Sequence, residues 1–458
     1  MIENDAFKLL LINLFHLNPD DIANILCTTF NKMMVLVVTL TDKHQACPYC
    51  GFTAPKIKEY VTKEITHSAL TTQKCIIKYR ARRYKCSCCG KTFYEFNPFV
   101  FKSQKISILT VHNILKDLKD FNETFTSVAR RYHVSPTSVS TIFDNHVDIG
   151  RNPLPEIINF DEVYAFKSEK SKYVCVILDF KKQIPVDILP NRKKEHLLNY
   201  FQKIPLEERK KVKYACSDMY EVYRDVVHKV FPCSCMLLDY FHLSQDFHRK
   251  MNEVRIKVMK GYKDDKASDE YYLLKKFNWL LFKNPEDEDK YGRLFDVERE
   301  RKYNSHFKSY MNYYDLKRKL LEINNDLTIC YSLKLELVDF YSKSTIDNAQ
   351  VNLEHLIRSC IDTNIEEMIA FSNNLINWKQ EIINSFTIVG TEYKVEADKG
   401  QVVVCNKKVN NAIIENRNKI IKCIKNNANG YTNWSRFRNR VMYVLDPNTT
   451  FSLEPREK

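Results

Sequence analysis

The hydrophobic rhythm of the chain changes several times, and each change predicts a different kind of element. In CIIKYRARRYKC, residues 75–86, apolar and basic residues alternate, which is the period of a strand with one face outward. Residues 123–147, ETFTSVARRYHVSPTSVSTIFDNHV, carry two short helical stripes, Val128/Ala129/Tyr132 and Val139/Ile142/Phe143, separated by His133-Val134-Ser135. Ser135 is placed to cap the second helix, with Pro136 at its first position.

From residue 156 the texture becomes β-branched. EIINFDEVYAF, KYVCVILDF and QIPVDILP read as strands, EHLLNYF as a helix, KVKYACSDMY as a strand, EVYRDVVHKVF as a helix and CSCMLLDYFH as a strand. The order β-β-β-α-β-α-β predicts a mixed sheet with helices packed on it. Asp161 falls in the middle of the first strand, Asp218 just past the fourth, and Asp179 in a hairpin. Residues 245–400 then repeat helical periods, as in FHRKMNEVRIKVMKGY and IEEMIAFSNNLINWKQEIINSF. Trp378, near the end of that region, reads as a buried core residue.

The stretch 409–430, VNNAIIENRNKIIKCIKNNANG, closes the series. At about 100° per residue, Ile413, Ile414, Ile420, Ile421 and Ile424 form one stripe. Glu415 lies opposite, with Asn411, Asn418, Lys419 and Lys422. A wet face on which Glu415 pairs with Lys419 is one reading. A carboxylate aimed at a site elsewhere is the other.

Composition narrows the classes. The 458 residues exceed one ordinary core, and 44% hydrophobic with 12% aromatic content is globular. Seventy-one Lys and Arg against 57 Asp and Glu leave a net charge of +14, suited to a polyanionic partner. Acidic residues precede the short apolar run of MIENDAFKLLLINLF, unlike a secretory leader, and no run reaches the ~20 apolar residues of a membrane span. A cytoplasmic protein is therefore expected, with its 15 cysteines as reduced thiols, some of them metal-bound.

Two of the cysteine groups have metal-ligand spacing. Cys47-Pro48-Tyr49-Cys50-Gly51 and Cys86-Ser87-Cys88-Cys89-Gly90 each place Gly after the second thiol of a C-x2-C pair. That is the form of a zinc knuckle, and Cys47, Cys50, Cys86 and Cys89 are predicted to bind one structural Zn²⁺, with Cys88 surplus. The paired stripes at 123–147 fit a helix-turn-helix whose Thr137, Ser138 and Thr141 point outward to a major groove, flanked by Arg130 and Arg131. A plain helical hairpin fits the same pattern. A carboxylate within a central strand is costly unless protonated, salt-bridged or bound to a divalent cation.

Taken together, the paired cysteines, TSVARRYHVSPTSVSTIFD, NFDEVYAF, DILPNRKKEHLLNYF, CSDMY, LLDYFH and NNAIIENRNKIIKCIKNNANGYTNWSRFRNRVMYVL resemble the DDE transposases of bacterial insertion sequences, specifically the ISL-three family. The resemblance runs over nearly the whole chain. It implies an α+β multidomain fold with a ribonuclease-H-like mixed-sheet core. The divisions would be a zinc-binding N-terminal domain (1–100), a helix-turn-helix domain (101–150), the first part of the core (151–244), a largely helical insertion (245–400) and a last core helix with a basic-aromatic segment (401–458).

Matching positions make Asp161, Asp218 and Glu415 the catalytic carboxylates and Mg²⁺ (or Mn²⁺) ligands, with Asp239 and His242 in support. Two divalent ions about 4 Å apart would activate the nucleophile and stabilise the leaving oxygen. The expected partners are transposon-end and target DNA, bound by a homodimer associated with the nucleoid. Lys419 and Lys422 would lie on the phosphate path together with Asn411 and Asn418. The competing functions are a DNA-binding regulator descended from such an enzyme and a stand-alone metal-dependent nuclease of the same fold.

Overall fold

The computed structural model describes residues 2–456 other than 44, 54, 69, 71, 102–103, 168–170 and 396–401. The boundary expected at 400/401 lies outside the described residues. The chain is a mixed α/β protein.

The N-terminal region opens with α1 (Ile2–Leu14), followed by β1 (Ile22–Phe30), β2 (Met33–Leu40), β3 (Lys56–Thr66), β4 (Cys75–Lys85) and β5 (Thr92–Tyr94). The sheet order is β1-β2-β4-β3, with β5 paired to β4. Alternation in β4 buries Cys75, Ile77, Tyr79 and Ala81 against Leu11, Ile12 and Phe15 of the first helical segment. Three helices follow: α2 (Ile108–Asp117), α3 (Phe125–Arg131) and α4 (Pro136–His146). As the sequence predicts, the Ser135 hydroxyl caps α4 by accepting from the Ser138 amide at 3.0 Å. Val128, Ala129, Tyr132, Val139, Ile142 and Phe143 share one core.

The central sheet contains β6 (Ile157–Tyr164), β7 (Tyr173–Asp179), β8 (Pro185–Leu189), β9 (Tyr214–Ser217) and β10 (Cys235–Leu238). Its order is β10-β9-β6-β7-β8. The first three strands in sequence pair antiparallel, and β9 and β10 extend the sheet in parallel. Between them come α5 (Lys194–Gln202), the short α6 (Leu206–Arg209) and α7 (Glu221–Val230). The side chains of Leu197, Phe201, Tyr223 and Val227 pack α5 and α7 on one face, against Ile158 and Phe160. Asp179 turns the β7–β8 hairpin, as expected, by accepting from the amides of Lys181 and Lys182.

The next helix, α8 (Tyr240–Lys260), begins directly after β10, so the sheet runs into the following, largely helical region through one unbroken helix. That region continues with α9 (Asp269–Lys276), two small hairpins (β11, Glu288–Asp289, with β12, Gly292–Arg293; β13, Lys302–Asn304, with β14, Ser309–Met311), then α10 (Tyr313–Glu322), α11 (Asn325–Lys343), α12 (Ala349–Asp362), α13 (Glu366–Asn377) and α14 (Lys379–Asn384). These elements share their own core, which includes Trp378 at 3% exposure. Asn384 of α14 donates to the Met236 carbonyl at 3.0 Å, which attaches the helical region to the β10 edge.

A hairpin, β15 (Ile388–Val395) with β16 (Val402–Lys408), returns the chain to the sheet. There α15 (Ala412–Asn427) and α16 (Trp434–Leu445) cover the second face. Ile414, Ile421 and Ile424 pack on Val163, Val174 and Val176. The arginines of α16 are engaged internally. Arg436 pairs with Asp144 of α4, Arg438 with Asp187 of β8, and the buried Arg440 donates to the carbonyls of Asp120 and Glu123. The α2–α4 region is thereby joined to the sheet through α16.

Candidate active site

Strand register places the acidic residues in a row. Asn159 is opposite Cys216, and Leu238 is opposite Ser217. Continuing those registers brings Asp161, Asp218 and Asp239 level across three neighbouring strands, at the ends where the parallel strands finish. Asn159, Asp161 and Val163 alternate onto the face covered by α15, whereas Phe160 and Glu162 turn to the face of α5 and α7.

Helix α15 is set over that row by a buried amide pair. Asn159 Nδ2 donates to the Asn411 side-chain oxygen at 2.6 Å and to the Asn410 carbonyl at 2.8 Å. Asn411 in turn donates to the Phe160 carbonyl at 3.3 Å. One turn later Glu415 stands in the first turn of the helix, where the partial positive charge of the N-terminus favours a carboxylate. Its ion-pair neighbour is His242 Nε2 at 3.9 Å, rather than Lys419. Asn418 Nδ2 reaches the Asp161 carboxylate at 2.7 Å.

Asp239, at the N-cap position of α8, and His242, in its first turn, complete the cluster at 3.8 Å from each other. The ligand atoms of Asp239, His242 and Glu415 lie within 4.8 Å of one another. Asp161 and Asp218 do not join them at that spacing. Burial raises the carboxyls of Asp218 and Asp239 above the usual range, and pushes that of Asp161 up to about 7 with help from the charges of Glu162 and Asp218. Asp218 Oδ1, Asp239 Oδ2 and His242 Nε2 are buried and have no hydrogen-bond partner. Several crowded oxygens and an imidazole with unsatisfied, desolvated atoms form a donor set suited to a divalent cation.

Two expectations about this region change. Asn411 and Asn418 do not line a phosphate path. They are buried at 0% and 5% exposure because their amides satisfy β6 and Asp161, while Lys419 and Lys422 remain exposed. Arg131 is less available than expected, since its guanidinium is held by Asp117 and Glu123 with 38% of the side chain still exposed. Arg130 is exposed beside it, as are Thr137 and Thr141, with Ser138 half-buried. Sequence reasoning also passed over Glu162 and Arg192, which pair on the α7 face. The Arg192 guanidinium lies 4.8 Å from the Tyr173 ring and 4.5 Å from that of Tyr220, close enough to bear electrostatically on Asp218. The basic run Asn191-Arg192-Lys193-Lys194 after β8 was the available signal.

In the N-terminal region, two turns of the same form face each other. The Gly51 amide returns to the Cys47 carbonyl, and the Gly90 amide to that of Cys86; the two glycines have φ of +74° and +72°. Sulfur separations are 3.7 Å for Cys47–Cys89 and 3.5 Å for Cys50–Cys86, and all four sulfurs lie within 4.8 Å. A tetrahedral site with ~2.3 Å metal–sulfur bonds needs sulfurs about 3.8 Å apart, so the four thiols fit zinc. Cys88 is exposed and outside the cluster.

A family model described as transposase, of the DDE ISL3 type, matches residues 158–402, a range that begins in β6 and ends in β16. The chain is 20% identical, over 411 residues, to the transposase for insertion sequence element IS1001 of Bordetella parapertussis, covering 89% of this chain and 90% of that protein. Among the described residues no helix is long and apolar enough to cross a membrane. With more than half of its length matched, the chain belongs to the ISL3 family of transposases.

Proposed function

We propose that the protein cuts and joins DNA at the ends of an insertion sequence, using divalent metal held by Asp161, Asp218 and Glu415, with Asp239 and His242 beside them. The observation that carries this reading is the convergence of Glu415, Asp239 and His242 within 4.8 Å at the same edge as the orphaned Asp218 oxygen. The sheet order β10-β9-β6-β7-β8, three antiparallel strands extended by two parallel ones, supports a ribonuclease-H-like core interrupted by the insertion.

Bound Mg²⁺ or Mn²⁺ would supply the charge that activates water or a 3′-hydroxyl and stabilises the leaving oxygen. The protein's part is to fix that chemistry in place. Asn418 orients the Asp161 carboxylate, the Asn159–Asn411 pair anchors the helix of Glu415, and the start of α8 sets Asp239 and His242. Arg192 compensates the buried Glu162 and lessens the repulsion around Asp218. Water would attack first at the element's end, and the 3′-hydroxyl so released would attack target DNA in the same site.

The four-cysteine module and the α3–α4 helix-turn-helix would bind the terminal inverted repeats. Arg130, Lys419 and Lys422 supply exposed charge for phosphates, and Thr137, Ser138 and Thr141 face base edges. Two ends cut in concert call for a homodimer on DNA. The decisive experiment is cleavage and strand transfer on a duplex carrying the inverted repeat found beside the gene, with Mg²⁺. Both steps are expected from the wild-type chain and neither from Glu415→Gln. Cleavage without joining would assign a nuclease instead, and binding without cleavage a regulator.

A further inference from the structure

Helix α8 leaves the acidic cluster carrying one polar stripe, His242, Asp246 and Arg249, at spacings of four and three residues. At 1.5 Å per residue the stripe places Arg249 about 10 Å along the helix from His242. Opposite it, α13 contributes Asn374 and Asn377. These residues, with Asp218 and Trp378, line a cavity of about 700 Å³ that opens at the acidic site. Two of its lining residues are held together by Arg224, whose guanidinium lies 4.2 Å from the Trp378 ring and donates to the Asn377 carbonyl at 2.8 Å.

Asp246 is the unusual member. Its side chain is only 3% exposed, yet it is charged and sits on the wall of an open groove. One of its oxygens accepts from Arg249 and the other from Asn374 Nδ2 at 2.7 Å. A buried ion pair is a poor device for stability, because an apolar residue of similar volume usually serves as well. What Asp246 achieves is direction. The Arg249 side chain stays 67% exposed, tethered to Asp246 through one of its N–H groups and, among the described residues, making no other hydrogen bond. Among the described residues, Arg249 is also the sole Lys or Arg lining a cavity that carries Asp218, Glu221 and Asp246. A polyanion entering there would otherwise meet three carboxylates, side-chain amides, the His242 imidazole and the uncharged Met219 and Trp378.

We infer that Arg249 grips the backbone of the DNA strand being cut, at a phosphate about one or two positions from the broken bond, and that Asp246 is the positioning residue that holds its guanidinium there. The inference rests on the DNA-cutting function proposed above and names a contact within it. Guanidinium and phosphate match as fork to oxygen pair, which makes arginine the fitting residue.

The test measures binding of the full chain, without Mg²⁺, to the inverted-repeat duplex, with single phosphates near the cleavage position replaced in turn by neutral methylphosphonate. Arg249→Ala should weaken binding roughly tenfold and reduce the salt slope by about one counterion. At one phosphate, the methylphosphonate should cost the wild type a similar factor and cost Arg249→Ala nothing further. Asp246→Asn should reproduce part of the loss with the same phosphate dependence. Should that variant fail to fold, the exposed Arg249 and the modified DNA decide the matter alone. Unchanged affinity in Arg249→Ala, or losses that add at every phosphate, would overturn the contact. Failure of the wider reading would be seen separately, as undiminished cleavage by Glu415→Gln in Mg²⁺.

Discussion

The cysteine cluster draws its four sulfurs from two copies of one local turn, each closed by a glycine at positive φ. The acidic cluster draws its side chains from β6, the ends of β9 and β10, the start of α8 and the start of α15, across 254 residues from Asp161 to Glu415. In the first, ligand geometry is written into short spacing. In the second it is a product of sheet register and of how one helix docks. Damage should therefore spread differently. Loss of a thiol should destroy a small module and spare the sheet, whereas loss of a carboxylate should spare the fold and destroy the chemistry.

The sharpest break in this comparison is metal removal. Chelation, or Cys47→Ser, should remove much of the ~10 kcal/mol that structural zinc contributes to a small module. One zinc per chain should be found in protein purified without chelator. Hydrogen exchange should then rise in β3–β5 and stay slow in β6–β10. Exchange that rises in both regions would show that the two are not independent.

Next in size is Glu415→Gln, expected to lower cleavage by about a thousandfold or more with the melting temperature and end binding retained. Cleavage near the wild-type level would remove Glu415 from the site. A smaller effect tests the docking of α15. Asn159→Ala leaves the Asn410 carbonyl and the Asn411 side chain without their buried donor, and should cost about 1–3 kcal/mol in urea denaturation. Cleavage should fall with it while DNA affinity holds, because α3 and α4 are untouched.

The smallest effects separate two adjacent arginines. Arg130→Ala should weaken end binding several-fold and lower the salt slope by about one. Arg131→Ala should leave the slope alone and cost up to ~1 kcal/mol of stability, because its partners Asp117 and Glu123 are only partly shielded from solvent. Equal slopes for the two variants would return Arg131 to the DNA surface.

Much of this was legible in the sequence, for reasons that follow from range. Gly51 and Gly90 mark their turns, Ser135-Pro136 marks a helix start, and β-branched runs mark the strands of the central sheet. Each is a local physical signal. Position on the helical wheel put Glu415 opposite the isoleucines but could not say what it faced. That question was answered only by the family resemblance, and the structure then put His242 beside it. The same wheel misassigned Asn411 and Asn418, because polar residues on one face look alike whether water or another amide satisfies them. The pairing of Arg131 was likewise out of sight, since its partners lie 14 and 8 residues away on other segments. The engagement of the α16 arginines had no sequence signal at all, as a basic-aromatic run is equally consistent with a DNA surface.

That last feature has a mechanical side. Arg436, Arg438 and Arg440 connect one helix to α4, to β8 and to the loop before α3, so the helices proposed to read DNA and the sheet proposed to cut it are fixed on a common frame. A frame of that kind measures. On the proposed function, the number of base pairs between the recognised repeat and the cut bond would be a property of the protein, as the span of a caliper belongs to the caliper. DNA offered with a half-turn inserted between them would present its scissile phosphate on the far side of the double helix, out of reach however tightly the repeat is held.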